Sequence, residues 1–340
     1  MDPKSSDTHM IKSQSPEQNW IPILAQYWKP NFARSVLEIA MTLGPFLAFW
    51  FAAWAALSVG YWLTLILSIP AAGFMVRLFL IQHDCGHGAF FQKRVFNDWV
   101  GRTLSIITLT PYYVWRRSHA MHHATSGNLD KRGTGDIELM TLAEYRKLSK
   151  LGRFGYRLYR HPLVLFGIGP AYNFWIRQRL PFGFMRSGWR YWVSAMGTNL
   201  AILIVAGFMV RAIGLGPFLL VHLPITVVAT SIGVWLFYVQ HQFENTFWSQ
   251  DKDWALQDAA LLGSSHYDLP PVLRWFTANI GIHHVHHLNA RIPYYRLPQV
   301  LRDHPELSNI RRLTLWTSLK CIHLGLWDES QQKLISFSEA

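Results

Sequence analysis

Four blocks in which apolar residues run almost unbroken dominate the hydrophobic pattern: residues 35–57, 61–81, 189–210 and 217–239. Each has the roughly 20 residues that an α-helix needs to cross the hydrocarbon core of a bilayer. Charge inside them is sparse: Glu38 near one end of the first, Arg77 near the far end of the second, and Arg190 at the edge of the third. Residues 58–60 and 211–216 are connections so short that each pair of blocks must fold back on itself. The expected fold is an all-α integral membrane protein, four transmembrane helices in two hairpins, with a polar helical cap between and after them.

The remaining segments sort by the same pattern. Residues 1–18 are polar and lack the apolar stretch of a signal peptide, so they read as a cytosolic leader. Trp20, Tyr27 and Trp28 mark residues 20–30 as an interfacial entry to the first span, which makes 1–34 a leader and interfacial segment. Residues 98–115, interrupted at Pro111, are expected as an interfacial helix, 141–160 as a basic amphipathic helix and 163–176 as a surface helix. The main domain then covers 35–298, and 299–340 form a soluble cytosolic tail.

Charge orients this arrangement. Sixteen Lys and Arg lie between residues 83 and 188, and Lys4, Lys12, Lys29 and Arg34 precede the first span. Basic residues mark the cytoplasmic side, so both termini and the long middle segment belong there. The net charge of +12 needs no nucleic acid once the spans are recognised, because an anionic lipid surface is the simpler partner. The two cysteines, Cys85 and Cys321, exclude a disulfide framework and any thiolate metal cluster, and Cys85 is expected to pack between helices.

Histidine carries the candidate chemistry. Ten of the sixteen fall in four short pieces: His83 and His87; His119, His122 and His123; His241; and His283, His284, His286 and His287. On a helix, His83 and His87 point to one side, and His119 with His122 or His123, and His283 with His286 or His287, repeat that spacing. Each box reads as a one-faced comb able to reach a metal ion. Counting spans puts all four pieces on the cytosolic side without using the histidines. His9, His161, His222, His266, His304 and His323 are isolated and read as surface or core residues.

The three boxes set among four spans resemble the membrane fatty acid desaturases and their hydroxylase relatives, over about residues 35–298. Gln82 to Phe91, His123 to Asp130 and Asn289 to Pro293 resemble the bacterial acyl-lipid branch that acts at the delta-12 (omega-6) position. The resemblance implies a bacterial cytoplasmic membrane protein with a non-haem di-iron centre. Its two iron ions would be held by His83, His87, His119, His122, His123, His241, His283, His286 and His287. It further implies O2 as co-substrate and a lipid-linked monounsaturated acyl chain in a narrow apolar tunnel. Electrons would come from a separate donor such as ferredoxin, a rubredoxin-like protein or cytochrome b5. Asp84, Asp130, Asp136, Glu244 and His284 are the candidates for supporting the ligands from behind, and Trp235, Phe237 and Phe243 for lining the tunnel.

Other chemistries meet specific obstacles. His83, Asp84 and His87 differ from a zinc-protease motif by Asp in place of Glu, one methylene too short for the general base, and that reading leaves two boxes unexplained. A metal transporter would place ionisable groups along the spans, which hold almost none. Hydroxylation or ketolation of an alkane, sterol or carotenoid stays the alternative, because the same oxidant can deliver oxygen instead of removing a second hydrogen.

Overall fold

The structure is a computed structural model that describes residues 18–133 and 135–340. Among these, four helices are long and apolar enough to cross a membrane: Phe32–Ser58, Tyr61–His87, Trp189–Ile213 and Leu215–His241. The leader expected over residues 1–18, with His9, lies outside the described residues except for Gln18. The second span is the central one, 61% buried over its most apolar window, whereas the third is 6% buried. Leu203, Ile204 and Phe208 on the third span are exposed, an apolar surface of the kind that faces lipid in a membrane helix. The lone charges of the first two spans meet: Arg77 and Glu38 form an ion pair with both side chains buried.

The second and fourth spans do not stop where their hydropathy ends. The second runs on past Ile81 to His87 and the fourth to His241, so box residues stand on extensions of membrane helices. Gly88 stops the second helix directly after His87. Its φ of 71° is left-handed, which suits glycine. Beyond it, the interfacial helix expected over 98–115 is two helices, Arg94–Ile107 and Tyr112–Thr125. Leu109, with φ 57°, and Pro111 turn the chain between them, and the second piece carries the second box. Tyr112 fixes their angle: its ring lies against Gly101 and its hydroxyl donates to the Cys85 carbonyl (2.8 Å).

The basic helix expected over 141–160 likewise divides, into Leu142–Lys147 and Lys150–Arg160, because Ser149 caps the second piece by accepting from Gly152 N–H. Leu151, Phe154 and Leu158 are exposed at i, i+3 and i+7, as in a helix laid on a lipid surface. The segment past residue 298 is not a separate tail. Leu324–Asp328 pairs with Met140–Thr141 and with Lys333–Ser336, and Arg312–Thr314 runs parallel to His266–Asp268. These strands are too short for alternation to mark them in the sequence. Trp20 and Tyr27 also differ from expectation. Both are buried against this segment, Trp20 edge-on to His304 (5.3 Å) and Tyr27 donating to Asp303 (2.8 Å), so they anchor protein to protein instead of to headgroups.

Candidate metal centre

Four elements bring the boxes together. His83 and His87 are on the last turns of the second span, and His119, His122 and His123 on Tyr112–Thr125. His241 ends the fourth span, and His283–Leu288 is a single short helix. The approach to that short helix is tightly determined. Ala278 and Asn279 have left-handed φ values of 47° and 55°, and a Cβ on Gly281 would lie 2.3 Å from the Tyr267 carbonyl oxygen.

Nine rings form two clusters. His83, His87, His119, His123 and His286 make one, and His122, His241, His283 and His287 the other; within each, one ring nitrogen per residue lies within 4.8 Å of all the others. The division follows helix geometry. In each box the i, i+4 pair shares a cluster (His83 with His87, His119 with His123, His283 with His287), while His122 and His286 cross to the other one. Residues adjacent on a helix point about 100° apart, so a box that contains neighbours serves both clusters.

The nitrogen spacing fits a metal ion in each cluster. Nε2 of His119 is 2.9 Å from that of His83 and 3.1 Å from that of His123, which is 3.1 Å from that of His286. In the second cluster, Nε2 of His241 is 2.9 Å from that of His283 and 3.1 Å from that of His122, and His283 to His287 is 3.1 Å. A neutral imidazole has one proton; His83, His122 and His241 each have a partner for it at Nδ1, and the buried Nε2 of His87 has no hydrogen-bond partner among the described residues. Nitrogens at right angles around an ion, with metal–nitrogen distances of roughly 2.0–2.1 Å, are about 2.8–3.0 Å apart. Burial, followed by the neighbouring imidazoles, holds His119, His123, His283, His286 and His287 well below the ordinary histidine range, so they are neutral and able to ligate.

Behind the rings, Nδ1–H of His122 donates to Asp136 Oδ1 at 2.5 Å, and Nδ1 of His83 faces Asp84 Oδ1 at 3.3 Å. Burial pushes the Asp136 carboxyl up, but the His122 hydrogen bond and charge outweigh it and keep the acid below its usual value. The other proposed partners do not reach a cluster. Asp130 accepts from the Asp251 N–H (2.8 Å) and so closes a loop, and Glu244 is exposed. Sequence proximity misled at both positions, since the next turn points away. His284 donates Nε2–H to the Leu307 carbonyl (2.9 Å) on the opposite side of its helix. The partner that sequence could not reveal is a backbone one: the Gly263 carbonyl lies 3.1 Å from His241 Nδ1.

A cavity of about 810 Å³ runs from the cap down between the second and fourth spans. His83, His119 and His283 reach it, and apolar side chains including Phe79, Trp115 and Phe237 form its walls there. Trp115 stacks face-on against His119 (4.7 Å), and Phe237 lies against His122 (4.9 Å). Phe237 is the one residue of the expected aromatic lining that faces the cavity; Trp235 and Phe243 do not. Arg177 both lines the cavity and is exposed, which places it at the mouth.

Comparison with known proteins agrees with this geometry. The family model described as fatty acid desaturase matches residues 60–318. A fatty acid desaturase of Bacillus subtilis is 44% identical over 316 residues, covering 92% of this chain and 89% of that protein. A sn-1 acyl-lipid omega-3 desaturase (ferredoxin) of Synechocystis is 28% identical over 82% of this chain and 77% of its own length. An endoplasmic reticulum omega-3 fatty acid desaturase of Vigna radiata is 26% identical over 73% and 67%.

Proposed function

The chain belongs to the fatty acid desaturase family, membrane-bound oxidoreductases, and on that premise we propose that it is an O2-dependent di-iron desaturase placing a cis double bond at the delta-12 position of a lipid-linked monounsaturated acyl chain. The observation that carries the reading is the meeting of two imidazole clusters with one apolar cavity: His83 and His119 belong to one, His283 to the other, and all three line it. His83, His87, His119, His123 and His286 hold one iron, and His122, His241, His283 and His287 the other. Imidazole suits iron, and the bound irons supply the oxidant that O2 and two electrons generate for an unactivated C–H bond.

The protein's own task is positional. The cavity walls hold one methylene pair beside the clusters and keep water out, which is where apolar lining matters. A volume of about 810 Å³ is within the range of roughly 300–1,000 Å³ for ligand sites. The lipid-linked substrate is supported by Arg177. Among the described residues its side chain hydrogen-bonds to Asn173 alone, at 3.5 Å, so the guanidinium at the mouth has donors for a headgroup phosphate. Exposed apolar residues flank it at Ile176 and Leu180, as at a bilayer interface.

The histidine side faces the cytosol, as do both termini. A separate small carrier supplies the electrons, and its acidic surface is steered by the basic cap. The Synechocystis relative carries ferredoxin in its name, which supports a ferredoxin here. Several relatives carry an omega-3 position in their names, so the position is the point to test. In a host that makes only saturated and monounsaturated acyl chains, expression should yield a diene with its second bond at delta-12, located by mass spectrometry. A bond at the omega-3 position would overturn the regiochemistry. An oxygenated product with no new bond would replace desaturation by hydroxylation.

A further inference from the structure

Arg77 is a charged residue buried in a membrane helix, about six residues and roughly 9 Å below His83 along the helix. Its ion pair with Glu38 would be explained by charge neutralisation alone if nothing else converged there. More does converge. The Arg77 guanidinium also donates to the Trp275 backbone carbonyl, its Nε–H to Thr42 Oγ1 (3.2 Å), and its face lies 4.1 Å from the Trp275 ring centre. Glu38 accepts from Arg34 (2.6 Å) and from the Tyr294 hydroxyl (2.9 Å).

Trp275 lies shortly before the third box and Tyr294 shortly after it. The pair thus grips both flanks of His283–Leu288. The grip extends to the first box, because the Tyr294 backbone N–H donates to Asp84 Oδ2 (2.7 Å), whose Oδ1 faces His83 Nδ1. Asn279 closes the loop, its amide donating to the Tyr294 carbonyl (3.3 Å), and the left-handed Ala278 and Asn279 lie inside the held segment. Two non-glycine residues persist in such conformations only where their surroundings fix them.

We propose that Glu38 and Arg77 are positioning residues, an intramembrane clamp that sets the third histidine box in register against the first and so holds both metal clusters together. The inference rests on the metal-binding reading above. A guanidinium is required, since it must meet a carboxylate, a carbonyl and a hydroxyl in one plane, which an ammonium does not.

The test uses the full-length protein in lipid nanodiscs, reconstituted with iron, with metal per chain measured by elemental analysis during competition with a chelator. If the wild type takes up no iron, the metal-binding reading fails and the clamp with it. If the wild type loads two, the clamp is tested by E38M/R77M, which removes both charges together at similar volume, a change that buried pairs tolerate in stability. Iron retention should weaken by about 10- to 100-fold, the range for groups that orient ligands. The melting point of the metal-free form should stay near wild type. R77K, which keeps the charge, should fail to restore retention. Should E38M/R77M not insert, Y294F decides, because it removes only the hydroxyl on Glu38; retention should fall several-fold. Unchanged iron retention in E38M/R77M, full rescue by R77K, or unchanged retention in Y294F would overturn the clamp.

Discussion

Replacing Asp136 by Asn tests how the four-ring cluster is held. His122 and Asp136 are both buried, and their 2.5 Å contact is the shortest between a clustered ring and a carboxylate. The acid stays ionised, so the bond is charge-assisted, which fixes the tautomer and makes Nε2 a stronger donor to a metal. Asn keeps the shape and one acceptor oxygen but loses the charge. Groups in this position are worth roughly 10–100-fold in metal affinity, or about 1.4–2.8 kcal/mol. The loss should fall on one metal of two, because His122 belongs to the four-ring cluster and, among the described residues, no ring of the five-ring cluster hydrogen-bonds to Asp136. D136N should therefore release about one iron per chain early in a chelator competition, with activity falling in parallel. D136A should do the same and somewhat faster. If both variants retain two irons as firmly as the wild type, the carboxylate does not orient the ring and the assignment of His122 to a metal loses its support.

His286→Ala should abolish product while the protein still inserts, whereas His284→Ala, which loses the bond to Leu307 and removes no ring from either cluster, should retain activity within about tenfold; equal loss in the two would show that the box is registered wrongly. The metal-free protein should lose stability as pH falls below 6.5, the unfolded histidine value, because the folded pKa of His283, His286 and His287 is depressed and the unfolded chain binds more protons there. Each such ring contributes a slope of up to about 1.4 kcal/mol per pH unit, and equal melting points at pH 7.5 and 5.5 would refute it. R177Q should raise KM for acyl phospholipid several-fold with little change in kcat, and an unchanged KM would remove Arg177 from headgroup binding.

What the sequence makes legible here is what helical periodicity and hydropathy encode locally. The four spans, the running of His83, His87 and His241 off the ends of membrane helices, and the pairing of histidines on one face of each box follow from spacing within one element, whereas the meeting of all nine rings is an expectation that comes from the family resemblance. The division of those rings into five and four does not. It depends on which way Tyr112–Thr125 and His283–Leu288 are rotated when they dock, and nothing within either segment specifies that rotation. The same limit explains Asp130 and Glu244, which are close to boxes along the chain yet point into other contacts, and the Gly263 carbonyl, which has no side-chain signal at all.

The docking rotation is instead specified at a distance. Tyr112 wedges Tyr112–Thr125 against Gly101 and Cys85, and the Arg77–Glu38 pair holds the third box by its two flanks. In the sequence those two charges look like flaws in otherwise apolar spans. Burying them costs free energy, so an apolar pair at those positions would serve the membrane helices as well or better. What an apolar pair cannot do is fix the direction of a carbonyl and a hydroxyl at once. The departure from hydrophobic patterning is thus where the membrane part of the fold gives information to the metal part, and an isolated charge in a span is best read by asking which distant backbone it orients.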